Sequence, residues 1–435
     1  MMRRGLLIFV VIAVLTPVLA LAQAFPPPEF SFDYRFPEVR TPDPRESVFE
    51  WIDVAVLAAT LGMAAWLALR VKKRAYIFLL VIFALLYFGF YREGCVCAIG
   101  AIQNVALALG PAEYTLPVTV GLFFLLPLLF ALVFGRVFCA AVCPLGAVQE
   151  MMLIKPLRVP EWLERPLGII PFVYLGVAAL FAWTDTGFLI CRYDPYVAFF
   201  RLGGLTHMLI AGGLLLAIGV FIGRPYCRYL CPLAALFRVT APLSAWHVRL
   251  GGDECINCHL CANACPYNAI RPPTAQDRSR PASTGRWTLG AIILAFPLLI
   301  AGSAWAGYLG SDYLAGMNQT VQTAARVFAE EQGIVEGTTE ESQAFYELGE
   351  PAGGLYREAA EVKRRFGTGS AVLGGFIGLI LAWQLVAVSL RRTREHYDID
   401  PARCVSCGRC YASCPIETAR RSGKSANPTR DNTHE

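Results

Sequence analysis

The chain has 435 residues, of which 56% are hydrophobic and 16% carry a charge, against about 25% charged in ordinary soluble domains. This composition excludes a single water-soluble globule and indicates a membrane protein. The net charge of +5 is too small to indicate nucleic-acid binding, and 15 cysteines against five histidines favour thiolate metal sites over membrane haems.

The N-terminal segment, residues 1–24, is predicted to be a cleaved secretory signal peptide. Two arginines are followed by an apolar run and by small residues in the spacing that signal peptidase requires, ending at Ala22 or Ala24. An uncleaved membrane anchor is the alternative. A short periplasmic segment, residues 25–50, is expected to follow.

Seven later stretches are apolar enough to cross a hydrocarbon core, which takes about 20 residues. They lie near residues 52–69, 75–91, 117–135, 167–183, 205–223, 288–310 and 369–390. If the mature N-terminus is outside, the inner segments hold 25 Lys and Arg and the outer segments hold 11. The positive-inside rule therefore predicts a bacterial-type inner-membrane protein with a cytoplasmic C-terminus.

An internal repeat lies within the predicted transmembrane bundle, residues 51–250. The pattern G-R-x-x-C-x-x-x-C-P at residues 135–144 recurs 88 residues later, at 223–232. Both copies follow the same order of spans, so a pseudo-twofold axis along the membrane normal should relate them. We call the four cysteines of these copies the inner quartet: Cys139, Cys143, Cys227 and Cys231. We expect them to hold one further cluster; buried small side chains that cap helices are the alternative.

Three more cysteines precede the two copies on the outer side, and we call them the outer trio: Cys95, Cys97 and Cys191. We expect them near the outer face, separated from the inner quartet by about 30 Å of hydrocarbon. They are predicted to hold a redox-active metal, either a cluster or copper, and a disulfide is the alternative. Asp194 is a candidate oxygen ligand, although an Asp before a proline is also typical of a turn.

Two further quartets of the form C-x-x-C-x-x-C-x-x-x-C-P lie in residues 251–285 and 391–420. They are Cys255, Cys258, Cys261 and Cys265, and Cys404, Cys407, Cys410 and Cys414. This spacing resembles that of bacterial two-cluster ferredoxins. Zinc knuckles, and a haem c attachment at Cys258-His259, are the alternatives.

The ferredoxin resemblance implies that the fourth cysteine of each quartet binds the other cube. Cluster 1 would then be held by Cys255, Cys258, Cys261 and Cys414. Cluster 2 would be held by Cys404, Cys407, Cys410 and Cys265. The quartets are about 140 residues apart, but the two spans between them return the chain to the cytoplasmic side, where both halves can pair.

The segment between the quartets comprises a transmembrane helix (286–310), a periplasmic helical cap (311–368) and a second transmembrane helix (369–390). The cap carries ten acidic and five basic residues, and is either a solvated hairpin or a docking surface for a partner. The tail, residues 421–435, is expected to be disordered. The sequence therefore predicts an all-α polytopic membrane protein of about seven transmembrane helices, with an internal parallel repeat and a cytoplasmic two-[4Fe–4S] ferredoxin module split by a transmembrane hairpin.

Paired G-R-x-x-C-x-x-x-C-P segments followed by two ferredoxin quartets resemble the membrane polyferredoxin group that includes NosR, NapH and, more distantly, the copper reductase CcoG. The resemblance covers roughly residues 75–270 and 400–416. It implies electron transfer between the cytoplasmic or quinone side and periplasmic reductases, with redox partners on both sides. NosR carries a flavin domain ahead of its spans, whereas no FMN attachment site is evident in this chain. We therefore expect a separate periplasmic flavoprotein or reductase as partner.

Four functions follow from these features. The inner quartet and the outer trio are expected near opposite faces of the membrane, which favours a conduit that carries electrons from a cytoplasmic donor to a periplasmic partner. A quinol dehydrogenase subunit would need only an apolar cleft for quinone in the lipid-embedded bundle. The Cys95-Val96-Cys97 pair suits a copper reductase or assembly factor. The fourth hypothesis is a non-enzymatic redox sensor. No nucleic-acid partner is expected.

Overall fold

The computed structural model describes residues 46–94, 96–110, 114–201, 203, 206–250, 254–274, 282–389 and 394–422. The predicted signal peptide, residues 25–45, Cys95 and the tail from residue 423 lie outside the described residues. The described residues include fourteen of the fifteen cysteines.

The first half of the chain is a bundle of helices. Two long helices open it, α1 (Ser47–Trp66) and α2 (Arg74–Ala84), and each continues as a π-helix, Leu67–Val71 and Leu85–Tyr91. They are followed by α3 (Ala101–Ala108), α4 (Val118–Phe134), α5 (Val137–Ala141), α6 (Pro144–Met152), α7 (Glu161–Leu167), α8 (Ile170–Trp183), α9 (Leu189–Tyr193), α10 (Pro195–Phe200), α11 (Thr206–Gly219), α12 (Pro225–Tyr229) and α13 (Pro232–Thr240), which ends in a 3₁₀ turn, Ala241–Leu243.

The second half contains the ferredoxin segments and the hairpin between them. Its elements are α14 (Leu260–Ala264), β1 (Ile270–Arg271), α15 (Ala282–Leu309), α16 (Ser311–Ala315), α17 (Gln319–Glu331), α18 (Glu340–Leu348), α19 (Ala352–Ser389), β2 (Asp398–Ile399), α20 (Arg409–Ser413) and α21 (Pro415–Ser422). The predicted cap region therefore contains three separate helices and the first turns of α19.

Five stretches of the described chain are long and apolar enough to span a membrane. They are Ser47–Val71, Arg74–Tyr91, Glu161–Trp183, Gly290–Leu309 and Ala352–Ala387. The other two predicted spans are the apolar helices α4 and α11, which have 17 and 14 residues. At about 1.5 Å per residue they are shorter than the roughly 30 Å hydrocarbon core. The chain is thus a helical membrane protein with five helices of spanning length in the described part.

The hairpin helix α15 exposes large apolar side chains along its length. Ile293, Leu298 and Trp305 are 64%, 64% and 67% exposed. A helix satisfies its own backbone hydrogen bonds, so such a surface is stable against lipid, whereas it would be costly in water. Exposed apolar side chains on α15 are therefore consistent with a lipid-facing position.

The two copies of the sequence repeat have the same local structure. In each copy a five-residue helix carries the first cysteine, and a nine-residue helix starts at the proline. Cys143 and Cys231 are the N-cap residues of α6 and α13. Proline suits the first helical position because its fixed φ is helical and the missing N–H would have had no partner there. The repeated pattern therefore places equivalent cysteines at equivalent helix starts.

The two ferredoxin segments join through a short antiparallel sheet. Strand β1 follows the first quartet and pairs with β2, which precedes the second, with Ile270 opposite Ile399. The hairpin helices α15 and α19 separate the two halves in sequence, but the halves are in contact, which is the arrangement expected of a split module. The first half also packs on the repeat, since a Cβ at Gly223 would lie 3.0 Å from the Tyr267 ring.

The hairpin helices pack closely through small residues. A Cβ at Gly378 would lie 2.6 Å from the backbone oxygen of Leu299 on α15. Small residues allow two helix backbones to approach each other within a bilayer. Beyond the hairpin, the cap helices pack on the end of α8, where Val327 and Phe366 share a buried cluster with Phe181. The cap is thus attached to the bundle.

Candidate metal centres

The thiols predicted to hold cluster 1 lie together. Cys261 is within electrostatic reach of Cys414, Cys255 and Cys258. These four cysteines line one cavity, with apolar walls that include Leu250 and Ile416. Burial and the neighbouring sulfurs raise the pKa of the Cys261 thiol to about 11. Four convergent thiols in a mostly apolar cavity fit a thiolate-bound cube, which would release their protons on binding.

The thiols predicted to hold cluster 2 converge in the same way. Cys410 is within electrostatic reach of Cys404, Cys407 and Cys265, so the fourth thiol again comes from the other quartet. Burial is the main reason why the pKa values of Cys404 and Cys407 are raised, to about 11 and about 12. The backbone N–H of Ser406 donates to the Cys404 sulfur at 3.4 Å. The arrangement therefore has the crossed pattern that the ferredoxin resemblance implies.

The backbone conformation of the two cysteine loops is also shared. Asn257 and Ser406 precede the second cysteine of their quartets, with φ of 52° and 55°. His259 and Gly408 follow it, with φ of 64° and 75°. Left-handed residues at matching positions let each short loop turn tightly around a centre. His259 also contacts the hydroxyl of Tyr397 through Nδ1, which accounts for the histidine without a haem.

The inner quartet comes together at the ends of the repeats. Cys143 is within electrostatic reach of Cys227, Cys139 and Cys231, and all four are buried. The side-chain amide of Gln149 donates to the Cys227 sulfur at 3.3 Å and accepts from the backbone N–H of Tyr226. The quartet therefore joins both copies of the repeat, and its four thiols are chemically suited to a tetrathiolate cluster.

Cys97 and Cys191 of the outer trio lie near each other, and Cys95 is outside the described residues. A Cβ at Gly100 would be 3.4 Å from the Cys191 sulfur and 3.8 Å from the Cys97 sulfur. Both cysteines are free thiols, and Cys191 is exposed. Asp194 is within electrostatic reach of Cys97, but its carboxylate also accepts from the N–H of Tyr196, as in an Asx turn.

The outer thiols lie closer to the inner quartet than a full membrane thickness. Tyr226 is within electrostatic reach of both Cys97 and Cys231, and Tyr174 is within reach of both Cys191 and Cys231. The expected separation of about 30 Å is therefore wrong. The physical reason is that the short helices α3, which follows Cys97, and α9, which contains Cys191, place Ile102 and Ile190 in the buried core of the bundle.

Among the described residues, no group of three or more His, Cys, Asp and Glu side chains is placed to hold a single metal ion. A cube differs from a single ion because each thiolate binds a different iron, so its ligands need not converge on one point. The ferredoxin and inner quartets fit this wider arrangement.

The carboxylate of Glu150 links the repeat to both ferredoxin halves. It accepts from Arg224 at 3.2 Å, from the Tyr267 hydroxyl at 2.6 Å and from Arg409 at 2.8 Å. Arg74 is a further cation, 3.5 Å away. Burial alone would raise the pKa of Glu150, but Arg224 and Arg409 more than offset it and lower the pKa to about 2. Glu150 is therefore an ionised hub between the membrane repeat and the ferredoxin module.

A second buried carboxylate, Glu164, also helps to hold the ferredoxin module against the repeat. It accepts from Arg228 at 2.8 Å and from the hydroxyl of Tyr229 at 2.7 Å. Arg228 also donates to the backbone oxygen of Pro266, next to Cys265. The ferredoxin module is thus held against the inner quartet by buried charged hydrogen bonds, which are stronger than neutral ones.

Glu150, Glu164 and Gln103 lie outside the motifs that the sequence shows. The side-chain oxygen of Gln103 accepts from the backbone N–H groups of Ile190 and Cys191. Gln103 precedes Cys191 by 88 residues, the offset of the repeat. The repeat alignment therefore places Gln103 opposite a cysteine and gives no signal for this glutamine.

The fold and the cysteine sites define an iron–sulfur membrane protein. Two family models, both described as a 4Fe-4S binding domain, match the chain. One matches residues 116–169 and 205–250, which contain the repeat, and the other matches residues 252–271 and 397–418, which contain the ferredoxin quartets. No solved structure matches the chain.

Three curated relatives have instructive names. The chain is 33% identical over 117 residues to "Putative electron transport protein YccM" of Escherichia coli, covering 25% of the chain and 33% of the relative. It is 29% identical over 144 residues to "Protein NirI" of Paracoccus denitrificans (30% and 21%). It is 30% identical over 208 residues to "Regulatory protein NosR" of Pseudomonas aeruginosa (44% and 29%). The chain therefore matches a third or less of each relative's length.

These relatives and the two family models confirm the resemblance to the NosR-like membrane polyferredoxin group that the sequence motifs indicate. They also confirm the prediction of an iron–sulfur membrane protein related to electron-transfer proteins.

Proposed function

We propose that this protein carries electrons across the membrane, between a cytoplasmic donor or the quinone pool and a periplasmic redox partner. One observation carries the proposal: the groups of thiols follow one another in series through the molecule. Bound iron–sulfur clusters would supply one-electron redox chemistry at each quartet. The protein's own residues hold the thiols at fixed separations and keep most of them away from water.

The junction between ferredoxin and membrane supports this order. The Arg224 guanidinium is within electrostatic reach of Cys227 in the inner quartet and of Cys407 in the cluster 2 quartet. Cluster 2 is therefore the ferredoxin site next to the membrane, and cluster 1 is the more distant site, suited to receive or deliver electrons at the cytoplasmic surface.

The junction between the inner and outer thiols supports the remaining step. The partly buried Tyr174 and the buried Tyr226 are each within electrostatic reach of one outer cysteine and of Cys231, so the outer thiols are close to the quartet. Cys191 is exposed, which suits contact with an external partner. The excess of basic residues in the inner segments supports a periplasmic position for this end.

Iron and acid-labile sulfide counting with EPR on the anaerobically purified full chain tests the proposal. Three or more clusters are expected, and Cys143→Ser should lose one of them while both ferredoxin signals remain. Tyr193→Phe, an exposed side chain on the outer helix α9, is the matched control and should keep all clusters. A wild-type protein with only the two ferredoxin cubes would contradict a conduit through the inner quartet.

A further inference from the structure

A buried cavity rich in arginine lies between the inner quartet and the ferredoxin module. Five guanidinium groups and one carboxylate line it: Arg136, Arg224, Arg228, Arg238, Arg403 and Glu164. Cys227 of the inner quartet and Val405 of the second ferredoxin loop also border it. The cavity is therefore at the junction of two proposed cluster sites, with an excess of positive charge.

Three of these arginines have carboxylate partners. Arg224 pairs with Glu150, Arg228 with Glu164, and Arg403 with Glu161 at 2.8 Å. Arg136 differs from them. Within the described chain it donates to the backbone oxygen of Ala402 at 3.0 Å, and its Nε has no hydrogen-bond partner.

Arg136 is only 4% exposed, so its charge is almost completely removed from water. A buried charge without a counter-charge is strongly unfavourable. The nearest candidates for a counter-charge are sulfurs. One guanidinium nitrogen of Arg136 lies 3.9 Å from the Cys139 sulfur, and Arg136 is also within electrostatic reach of Cys404.

We propose that Arg136 is the shared counter-charge of two clusters, the one held by the inner quartet and cluster 2 of the ferredoxin module, and that it raises the reduction potential of both. This inference rests on the proposed function, since it assumes a cluster at the inner quartet. Four thiolates make a bound cube anionic, and reduction adds one more negative charge. A nearby buried cation therefore stabilises the reduced form more than the oxidised form.

The two copies of the repeat differ in the partners of this arginine. Arg224 occupies the equivalent place in the second copy, but it has a carboxylate partner, Glu150, at 3.2 Å. Arg136 thus acts as a positioning and tuning residue, while Arg224 mainly holds the module in place. The transfer step between the two clusters moves one electron, and no bond forms or breaks.

An EPR-monitored redox titration of the full-length holoprotein tests this role. Arg136→Gln should shift the midpoint potentials of cluster 2 and of the inner-quartet cluster to lower values and leave cluster 1 unchanged. Arg136→Lys keeps the charge and should show a smaller shift of both. Arg271→Gln is the matched control: it removes the same charge from the ferredoxin module, but the Arg271 side chain is 31% exposed, so water screens its charge and the two potentials should stay as in the wild type.

The outcomes separate this inference from the proposed function. If Arg136→Gln and Arg136→Lys retain the wild-type iron content and show wild-type potentials, the counter-charge role is refuted while the conduit stands. An equal shift of all three clusters would also refute it. If the potentials shift as expected but electrons do not cross the membrane in sealed vesicles, the conduit fails and the role of Arg136 stands. Should Arg136→Gln not assemble, the Arg136→Lys titration decides.

Discussion

At the scale of single residues, the charged side chains around the inner quartet connect parts of the chain that are far apart in sequence. Glu150 lies in the first copy of the repeat, and its partners Arg224, Tyr267 and Arg409 come from the second copy and from both ferredoxin segments. One carboxylate thus fixes three segments relative to one another. Removing it leaves buried guanidinium groups without their counter-charge.

Glu150→Gln is expected to lower the free energy of unfolding by about 3–5 kcal/mol, the cost of breaking a buried ion pair. The pKa of Glu150 is about 2, below its ordinary value of 4.5. The ionised carboxylate therefore stabilises the fold above pH 4.5, and this stabilisation is lost as the pH falls towards 2. Thermal unfolding of wild type and variant at decreasing pH should show their difference shrinking in that window.

The control for this variant is Glu161→Gln. Glu161 is 45% exposed and pairs with Arg403, and exposed ion pairs contribute little, so a loss of at most about 1 kcal/mol is expected. An equal loss in both variants, or a difference that persists unchanged at low pH, would disprove the hub role of Glu150.

Single cysteine replacements test the ferredoxin assignment. Cys258→Ser and Cys407→Ser should each remove the EPR signal of one [4Fe–4S] cube, because each loses a thiolate ligand of one cluster only. The membrane bundle should persist in both variants, since its helices satisfy their own backbone hydrogen bonds. Ser413→Ala, a neighbouring change without a sulfur, should keep both signals. Unchanged iron content in either cysteine variant would contradict the assignment.

At the scale of elements, the sequence predicts most helices but few of their contacts. Long apolar runs become helices because a bilayer leaves the backbone no other hydrogen-bond partners, so α1, α8 and α15 were predictable. The cysteine spacing likewise predicted the paired ferredoxin loops. The inward packing of α3 was not predictable, because it depends on the hydrogen bonds that Gln103 accepts from α9, 87 and 88 residues away.

The packing of the hairpin helices α15 and α19 is open to a direct test. Gly378→Leu should lower the thermal unfolding midpoint, because a side chain there meets the backbone of Leu299, and overpacking costs about 1–3 kcal/mol. The hairpin connects the two ferredoxin halves, so the iron content should also fall. Gly302→Leu is the control, since a Cβ at Gly302 meets nothing within 4 Å. Equal effects of the two variants would refute close packing at Gly378.

At the scale of the whole molecule, electron transfer across the membrane depends on the orientation of the chain. The ferredoxin module, the inner quartet and the outer thiols form a series that serves transfer across a membrane only if its two ends face opposite sides. The basic residues favour a cytoplasmic ferredoxin module. The acidic cap between α15 and α19 is then on the periplasmic side, where it is available to a partner.

Labelling of engineered cysteines tests this orientation. Glu336→Cys places an exposed thiol in the cap, and a thiol reagent that cannot cross membranes should label it from outside. Asn427→Cys in the tail should be labelled only after the membrane is opened. The unmodified protein, with its native cysteines, gives the background labelling on each side. Labelling in the opposite sense would overturn the proposed direction of the electron path.

The most direct test of the conduit is electron transfer through Cys191→Ser in sealed vesicles, with reduction of the ferredoxin clusters and of an external acceptor measured in the same sample. We expect normal reduction of the ferredoxin clusters and loss of delivery to the acceptor, because Cys191 is an exposed thiol of the outer site. Normal delivery by the folded variant would contradict the conduit and favour a quinol dehydrogenase, in which electrons need not leave through the outer cysteines.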